Sequence, residues 1–399
     1  MNAVFEKSRP QGEVHVPSSK SCAHRMLIGA ALADGESVLH GISYNEDILA
    51  TMDCLRAMGA EFSENADSIC VRGAQKCPEF PNFPCRESGS TLRFLIPIAL
   101  LSGGGLFSGT ERLLNRGVGV YEDLLRGQAE FQRVNANTLR VSGALQAGTY
   151  DVPGNVSSQF ISGLLFALPM LPESSTLRVL PPFESRGYVD LTVDALERFG
   201  IHIQRQGDCF FIPGNQKYVR REMTVEGDWS QAAFFCAMNA LGGSVHLNGL
   251  NANSLQGDRV CESLFAQIRE GFCTADLSDC PDLAPVLFAA AAACGHGARF
   301  TGTRRLTIKE SNRATVMAEE LQKFGIQLIV EENAVQVLKG KMHAPRETLW
   351  GHNDHRIVMA LSVLAAFTGG TIQGAEAVRK SYPNFFEDLQ NIDVHVRCE

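Results

Sequence analysis

The stretch Arg86-Glu87-Ser88-Gly89-Ser90-Thr91-Leu92-Arg93 runs directly into the apolar segment 94–101. Its small, hydroxyl-bearing residues are typical of the start of a helix, where the first four backbone N–H groups have no partner within the helix. The helix dipole adds partial positive charge at that end. Gly89 lets a ligand approach the backbone, and Arg93 supplies a full positive charge. The stretch therefore predicts either an ordinary helix cap or a binding site for a phosphate or carboxylate.

A polar cluster followed by an apolar helix occurs six times along the chain. The clusters are residues 19–25, 87–93, 157–159, 228–231, 281–282 and 353–356. Each unit also has an amphipathic helix ending in a short strand-like segment, at residues 58–62, 128–131, 199–203, 271–273, 324–328 and 392–396. Both series advance by about 70 residues and shorten to roughly 55 between the fourth and fifth units, as expected of one repeated supersecondary element.

The repeated unit predicts an α/β fold with two domains of three units each. Strand-like runs such as 209–212 and 334–338 lie between the helices, and six units of this size do not make one core. The apolar helices should be buried at the centre of each domain, with the amphipathic ones outside. Lys20, Arg25, Arg93 and Arg356 lie close to the helix starts, where a cation opposes the helix dipole. An anionic ligand between these cations would remove the conflict.

Composition limits the function classes. The chain has 399 residues, of which 45% are apolar and 20% charged, which is typical of a folded globular protein. No segment resembles a signal peptide, and the longest apolar runs, 94–101 and 283–294, are too short to span a bilayer. We therefore expect a cytoplasmic protein without a membrane partner. The net charge of −8 argues against nucleic acid as a partner.

Cysteine and histidine spacing gives no reason to expect a metal. The 12 cysteines include no CxxC pair, so we expect reduced structural thiols. His352 and His355 flank Asp354 closely, but no third ligand is placed by the spacing. We expect neither a metal ion nor a cofactor.

Ten motifs, in chain order and spanning nearly all of it, resemble the 5-enolpyruvylshikimate-3-phosphate synthase family of enolpyruvyl transferases. They are Lys20-Ser21 with Arg25; Gly89 with Arg93; Arg112; Ser157-Ser158-Gln159; Ser185 with Tyr188; residues 225–228; Pro281-Asp282; residues 308–313; residues 353–356; and Lys380. The resemblance implies a two-domain inside-out α/β barrel, each domain being three repeated β-α-β-α-β-β units around parallel buried helices. It implies domains of residues 19–226 and of residues 1–18 with 227–399, and two crossings that act as hinges for closure over substrate.

The implied reaction joins the enolpyruvyl group of phosphoenolpyruvate to the 5-hydroxyl of shikimate 3-phosphate and releases phosphate, by addition and then elimination. The residues implied around phosphoenolpyruvate are Lys20, Gly89, Arg112, Gln159, Arg313, Arg356 and Lys380. Those implied around shikimate 3-phosphate are Lys20, Ser21, Arg25, Ser157, Ser158, Gln159, Ser185, Tyr188, Asp282 and Lys309. The resemblance makes Asp282 the base for the 5-hydroxyl, and Glu310 with Lys20 the pair that handles the proton at the methylene carbon. We expect a monomer.

Two other functions remain open at this point. A UDP-N-acetylglucosamine enolpyruvyl transferase shares the fold, but would be expected to have Asn after the first lysine and a cysteine near residue 115. Here Ser21 follows Lys20, and residues 109–121 contain no cysteine. A noncatalytic shikimate-phosphate binding protein is the second alternative. Four intact residues argue against it: Lys20, Asp282, Glu310 and Lys380.

Several residues also allow a purely structural interpretation or depart from the family pattern. Asp282 could be a helix cap, and residues 309–313 could form an exposed helical ion pair. Glu87 and Arg305 stand where the family commonly has Asn, and Phe94 where Pro is common. The Glu87 carboxylate could repel phosphoenolpyruvate, so we hypothesise that a neighbouring cation holds and orients it.

Overall fold

The computed structural model describes residues 1–65, 67–74 and 77–399. Its helices, in chain order, are α1 Lys20–Leu32, α2 Glu46–Ala57, α3 Gly89–Ala99, α4 Glu111–Asn115, α5 Gly119–Leu124, α6 Ser158–Ala167, α7 Arg186–Arg198, α8 Trp229–Ala240, α9 Cys261–Glu270, α10 Ala284–Cys294, α11 Arg313–Lys323, α12 His355–Thr368 and α13 Phe385–Asn391. The prediction that six apolar helices start at the six polar clusters is confirmed by α1, α3, α6, α8, α10 and α12.

Side-chain caps explain where several of these helices begin. Ser19, Ser88, Ser157, Asp228 and Asp354 each accept a hydrogen bond from a backbone N–H in the first turn of the helix that follows. These bonds satisfy N–H groups that the helix itself leaves without a partner. The helices then run through the core: every residue of α10 from Ala284 to Ala292 is buried. The pattern of an apolar helix behind a polar cap is therefore what sets these boundaries.

The strands, in chain order, are β1 Asn2–Phe5, β2 Gln11–His15, β3 Glu36–His40, β4 Glu61–Glu64, β5 Ser68–Arg72, β6 Asn82–Arg86, β7 Gly104–Gly109, β8 Ala129–Asn135, β9 Thr138–Gly143, β10 Thr149–Pro153, β11 Ser175–Leu180, β12 Gln204–Gln206, β13 Cys209–Ile212, β14 Glu222–Thr224, β15 Ser244–Asn248, β16 Cys273–Asp276, β17 Ala298–Thr301, β18 Leu328–Val330, β19 Ala334–Val337, β20 Leu349–Trp350, β21 Gly370–Gln373 and β22 Val396–Cys398. A strand follows each amphipathic helix within a few residues, as the sequence predicts.

Five sheets share one plan of four strands. Their orders are β14-β3-β5-β4, β6-β7-β9-β8, β10-β11-β13-β12, β16-β17-β19-β18 and β20-β21-β1-β22. In each, the first pair is parallel and the next two pairs are antiparallel. The common plan confirms the repeated unit at the level of strand pairing.

The sixth sheet is smaller than predicted. It consists of the parallel pair β15 and β2 alone, because the chain passes from α9 to β16 without the antiparallel hairpin found in the other units. The shortened spacing between the fourth and fifth units is this missing hairpin. Within the described residues the strands form separate sheets and none closes on itself, and the predicted repeated units with buried apolar helices are confirmed.

A side-chain amide takes the place of a neighbouring strand at the edge of this small sheet. Asn239 of α8 donates through Nδ2 to the carbonyl of Val245 at 2.8 Å, and its Oδ1 accepts the N–H of Val245 at 2.7 Å. These are the two hydrogen bonds that an adjacent strand would make with Val245. The amide therefore satisfies part of an otherwise open strand edge.

Contacts between residues divide the chain into two compact units. The discontinuous unit is Met1–Pro17 with Gly227–Glu399, and the continuous unit is Ser18–Glu226. Each unit has a hydrophobic core of its own. The sequence analysis assigned Ser18 to the discontinuous domain, but Ser18 and Ser43 exchange two hydrogen bonds, of 3.0 and 2.8 Å, which tie Ser18 to the continuous unit.

Over the described ranges, none of the helices combines the length and apolar character needed to cross a membrane.

Candidate active site

In the continuous unit, Gly89 lies between two arginine side chains at the start of α3. A Cβ atom built on Gly89 would be 3.2 Å from Arg116 Nη1 and 3.3 Å from Arg93 Nη1. Ser88 caps the helix by accepting the N–H of Thr91 at 3.3 Å. The absence of a side chain at Gly89 thus leaves space beside two guanidinium groups and a helix N-terminus, all of which attract anions.

Hydrogen bonds join the first turns of α3 and α6. Arg93 Nη1 donates to Gln159 Oε1 at 2.6 Å, and Gln159 Nε2 donates to Ser90 Oγ at 2.9 Å. The Arg93 guanidinium also lies 5.1 Å from the centre of the Phe160 ring. Gly89 and Gln159, which the sequence predicts as neighbours of one ligand, therefore belong to one connected group.

The arginines near these motifs differ in their surroundings. Arg112, the predicted ligand, is an exposed residue of α4. Arg116, one turn later, is half-buried, and its buried Nε has no hydrogen-bond partner within the part of the chain described. Arg116 was not among the residues predicted from the sequence. Its position one helical turn after Arg112 was the feature that could have indicated it. Arg186 is committed to Asp208, with bonds of 2.5 and 3.1 Å.

Arg25 is buried and serves mainly to hold backbone. Its side chain donates to the carbonyls of Ser21 at 2.6 Å and Tyr188 at 2.7 Å, and to Thr192 Oγ1 at 2.8 Å. Burial lowers the pKa of this guanidinium to about 10. Arg25 thus ties together two residues, Ser21 and Tyr188, that the sequence predicts at the same substrate.

Lys20 has a negative partner within the protein. Its Nζ lies 2.9 Å from Asp47 Oδ2, and both side chains are largely shielded, with exposures of 17% and 19%. From the sequence, an anionic ligand was expected to offset this cation at the start of α1. Asp47 already supplies negative charge there, so a ligand would share Lys20 with it.

The serines predicted to bind substrate lie at the starts of α6 and α7. Ser157 caps α6 by accepting the N–H of Gln159 at 3.3 Å, and Ser158 is the first residue of that helix. Ser185, just before α7, is buried and has a left-handed φ of 55°. Such a backbone is uncommon for a residue other than glycine and is often found at functional sites.

In the discontinuous unit, Asp282 accepts hydrogen bonds from three cations. Arg313 Nη1 lies 2.9 Å and Lys309 Nζ 3.2 Å from Oδ1, and Arg356 Nη2 lies 3.2 Å from Oδ2. The Asp282 side chain keeps 19% of its surface exposed. The three cations offset the negative charge of Asp282, and the exposed part of its side chain leaves room for a ligand.

Arg313 connects all the carboxylates of this cluster. Only 1% of its side chain is exposed, and it donates to Asp354 at 2.9 Å, to Glu310 at 2.6 Å and to Asp282. Burial opposes its charge, but the carboxylates of Asp354, Glu310 and Asp282 raise its pKa. The alternative of an exposed helical ion pair at residues 309–313 is therefore wrong.

Titration of the surrounding groups follows from the same contacts. Burial would raise the pKa of Asp354, but Arg313 outweighs it and the pKa is lowered. Burial, with repulsion from Arg313, lowers the pKa of Lys309 although Asp282 opposes the change. Arg313 thus favours the ionised form of Asp354, while burial makes Lys309 easier to deprotonate than an exposed lysine.

Of the predicted residues Arg356 and Lys380, Arg356 lies in the first turn of α12, and the side chain of Lys380 contacts the loop before that helix. Asp354 caps this helix by accepting the N–H of Arg356 at 3.0 Å. Lys380 Nζ donates to the carbonyl of Asn353 at 2.8 Å. Arg305, which departs from the family pattern, is buried and donates to the carbonyl of Ser278 at 2.6 Å.

Asp258, which no sequence pattern indicated, is a buried acid that interacts with this cluster. Ser230 Oγ donates to its carboxylate. Burial first, and then the negative charge of Asp282, raises the pKa of Asp258 to about 6. Asp258 lies in a short 3₁₀ turn between β15 and α9, and no spacing in the sequence connects it to Asp282.

No three His, Cys, Asp or Glu side chains within residues 1–65, 67–74 and 77–399 are arranged to hold a metal ion.

Comparison with known proteins gives the family. The sequence profile described as EPSP synthase (3-phosphoshikimate 1-carboxyvinyltransferase) matches residues 4–389. This chain belongs to the EPSP synthase family. It is 37% identical to the 3-phosphoshikimate 1-carboxyvinyltransferase of Clostridium kluyveri, over 96% of this chain and 95% of that protein. Identity to the same-named protein of Clostridium perfringens is 36%, over 98% and 97% of the two chains.

Solved structures share the fold of this EPSP synthase family member. EPSP synthase from Acinetobacter baumannii superposes with a TM-score of 0.78 over 99% of both chains, at 24% identity. The enolpyruvyl transferase NikO from Streptomyces tendae has a TM-score of 0.77 at 14% identity, over 99% of this chain and 98% of that one. At these identities the likeness is one of fold.

Proposed function

We propose that this chain transfers the enolpyruvyl group of phosphoenolpyruvate to the 5-hydroxyl of shikimate 3-phosphate and releases phosphate, in the pathway to aromatic amino acids. The observation that carries the proposal is its membership of the EPSP synthase family along residues 4–389. The two clusters of cations and carboxylates support it, because both substrates are anions and the reaction needs proton transfer.

For shikimate 3-phosphate, we propose a site built on the starts of α1, α6 and α7. Hydroxyl groups of Ser157, Ser158 and Ser185 lie where helix N-terminal N–H groups also attract a phosphate. Arg25 supports this site by holding the backbone of Ser21 and Tyr188. Gln159, Lys20, Lys309 and Asp282 complete the proposed set.

For phosphoenolpyruvate, we propose contacts with Gly89 and the cations around it, and we replace Arg112 with Arg116. Support comes from Arg116 Nη1, which would touch a Cβ on Gly89, whereas Arg112 is exposed on α4. Gln159 is bonded to Arg93 in the same group. The remaining proposed cations, which offset the charge of the substrate, are Lys20, Arg313, Arg356 and Lys380.

We propose that Asp282 accepts the proton of the 5-hydroxyl. The hydroxyl oxygen then bonds to C2 of phosphoenolpyruvate, while C3 gains a proton. Elimination then removes a proton from the new methyl group and expels phosphate. Glu310 with Lys20 remains the proposed pair at that carbon. Arg313 pairs with both Asp282 and Glu310. When one of these carboxylates is protonated, the positive charge of Arg313 therefore stabilises the other more strongly.

Phosphate release tests the proposal. We expect release with shikimate 3-phosphate and phosphoenolpyruvate together, and none when either is omitted. Activity with UDP-N-acetylglucosamine in place of shikimate 3-phosphate would assign the chain to the other transferase. Binding of shikimate 3-phosphate without any release would identify a noncatalytic binding protein.

A cytoplasmic monomer is the proposed state of the chain. Cell fractionation and light scattering of the purified protein test this, and a stable dimer would refute the monomer.

The departure at Glu87 leads to its own proposal. This half-buried residue directly precedes Ser88, which caps α3, and we propose that a neighbouring cation orients it beside the phosphoenolpyruvate site. Glu87→Asn should then change KM for phosphoenolpyruvate or kcat. If neither changes, the idea fails.

A further inference from the structure

The loop before α12 contains two successive residues with left-handed backbone. His352 has a φ of 49° and Asn353 a φ of 52°, and Asp354 follows them directly. Residues other than glycine adopt this conformation uncommonly, although His and Asn do so more often than most, and two in succession need support from surrounding contacts. The question is therefore what holds this loop.

Glu320, a buried carboxylate of α11, makes three kinds of contact that answer it. Its side chain is 2% exposed. Its oxygens accept the N–H of Trp350 at 3.0 Å and lie 3.1 Å from His352 Nε2. Lys323 Nζ donates to both oxygens, at 2.9 and 3.0 Å.

The Glu320 carboxylate is held in its ionised form. Burial opposes ionisation, but the bonds from His352, Lys323 and the N–H of Trp350 lower its pKa. An ionised carboxylate only accepts hydrogen bonds, so His352 Nε2 carries the proton in this pair. Glu320 thus holds this segment through the backbone N–H of Trp350 and through the side chain of His352.

The far end of the loop carries the proposed anion-binding groups. The carbonyl of Asn353 accepts Lys380 Nζ at 2.8 Å. Asp354 caps α12 at the N–H of Arg356 and pairs with Arg313 at 2.9 Å. His352 directly precedes both the carbonyl that accepts Lys380 and the cap of Arg356, so we expect a displaced His352 to shift these two contacts.

We propose that Glu320 is a positioning residue: it holds the left-handed turn at His352 and Asn353, and so sets Lys380 and Arg356 for phosphoenolpyruvate. This inference rests on the proposed function of those two cations. An i,i+3 pair with Lys323 alone would be an ordinary surface contact, but Glu320 is buried and also bonded to Trp350 and His352.

Glu320→Gln tests the inference, with Glu319→Gln as the matched control. Glu319 is the neighbouring residue of α11 and is exposed. We expect Glu320→Gln to raise KM for phosphoenolpyruvate about tenfold and to leave KM for shikimate 3-phosphate within about twofold, as loss of one charged contact would give. The control should match the unmodified protein. Equal KM changes for both substrates, or none, would overturn the inference.

Two substitutions at His352 separate positioning from general stability. Both His352→Ala and His352→Gly remove the bond to Glu320, but glycine adopts the left-handed backbone freely. We therefore expect the Ala variant to have a KM for phosphoenolpyruvate about fivefold above that of the Gly variant. Equal values would show that the turn is not what matters. This pair keeps the test decisive if Glu320→Gln does not fold.

A spectroscopic measurement distinguishes failure of this inference from failure of the proposed function. Trp350 ends β20, directly before this loop, and is 56% exposed, whereas Trp229, the other tryptophan, is buried. In a Trp229→Phe background, Glu320→Gln should increase quenching of Trp350 fluorescence by acrylamide, and Glu319→Gln should not. Unchanged quenching would overturn the proposal that Glu320 holds the loop, whether or not the protein releases phosphate.

Discussion

Replacing Gly89 by alanine should weaken phosphoenolpyruvate binding without weakening the fold. The added Cβ would lie 3.2 Å from Arg116 Nη1 and 3.3 Å from Arg93 Nη1, closer than most real Cβ contacts. Both atoms are at the ends of side chains, so they can move by the few tenths of an ångström required. The fold therefore tolerates the methyl group, while the space beside the guanidinium groups is lost.

Gly89→Ala should affect stability and phosphoenolpyruvate binding in opposite directions. Gly89 is the first residue of α3 and has no left-handed φ, so alanine should leave the free energy of unfolding unchanged or raise it by up to about 1 kcal/mol. Crowding of a bound anion by the added methyl group costs about 1–3 kcal/mol. That cost corresponds to a rise in KM for phosphoenolpyruvate of roughly 5- to 150-fold.

Steady-state kinetics and urea unfolding test this prediction together. Gly119→Ala is the matched control, because Gly119 is also the first residue of a helix and its Cβ would meet only Glu122 Oε2, at 3.9 Å. The control should keep both KM values. Unchanged KM for phosphoenolpyruvate in Gly89→Ala would refute the assignment of Gly89 to this substrate. A large loss of stability would refute the claim that the arginines can move.

Three other predictions follow from single contacts. Arg116→Leu should raise KM for phosphoenolpyruvate at least tenfold, as loss of a charge-assisted bond would, whereas Arg112→Leu should change it less than about twofold. Because burial raises the pKa of Asp258 to about 6, the stability that this group contributes is fully present below about pH 4 and declines as the pH rises through 6. Asp258→Asn should therefore show a smaller fall in unfolding free energy between those pH values. Asn239→Leu should cost about 1–3 kcal/mol in urea unfolding without changing KM, since both backbone groups of Val245 lose their partners.

Each of these predictions has a result that would contradict it. Equal KM values in the two arginine variants would return Arg112 to consideration. An identical pH dependence of unfolding in Asp258→Asn would mean that this acid does not titrate in that range. Asn239→Asp keeps the acceptor for the N–H of Val245 but loses the donor, so it should lie between the native protein and Asn239→Leu. Native stability in Asn239→Leu would contradict the proposed role of Asn239 at the strand edge.

The sequence predicts the helix starts well because both signals are local. Ser88 and Asp354 are caps whose partners lie within three residues, and the apolar runs behind them are long enough to identify buried helices. The repeat spacing also marks the fourth unit as short. It does not reveal that the missing part is the hairpin, because the spacing alone does not say which element is absent.

The contacts that define the site are mostly long-range, and the sequence could not predict them. Arg313 is bonded to Asp354 across 41 positions, and Lys20 to Asp47 across 27. Whether Arg25 faces a ligand or the backbone of Tyr188 depends on packing between α1 and α7. The family resemblance names which residues matter, but not which of them are already committed to a protein partner.

Phosphorus NMR of the purified protein with equal amounts of shikimate 3-phosphate and phosphoenolpyruvate tests the central claim most directly. We predict that the phosphoenolpyruvate signal falls as inorganic phosphate rises in equal amount, while a new phosphomonoester signal replaces that of shikimate 3-phosphate. Phosphate release with the shikimate 3-phosphate signal unchanged, or no change in any signal, would contradict enolpyruvyl transfer.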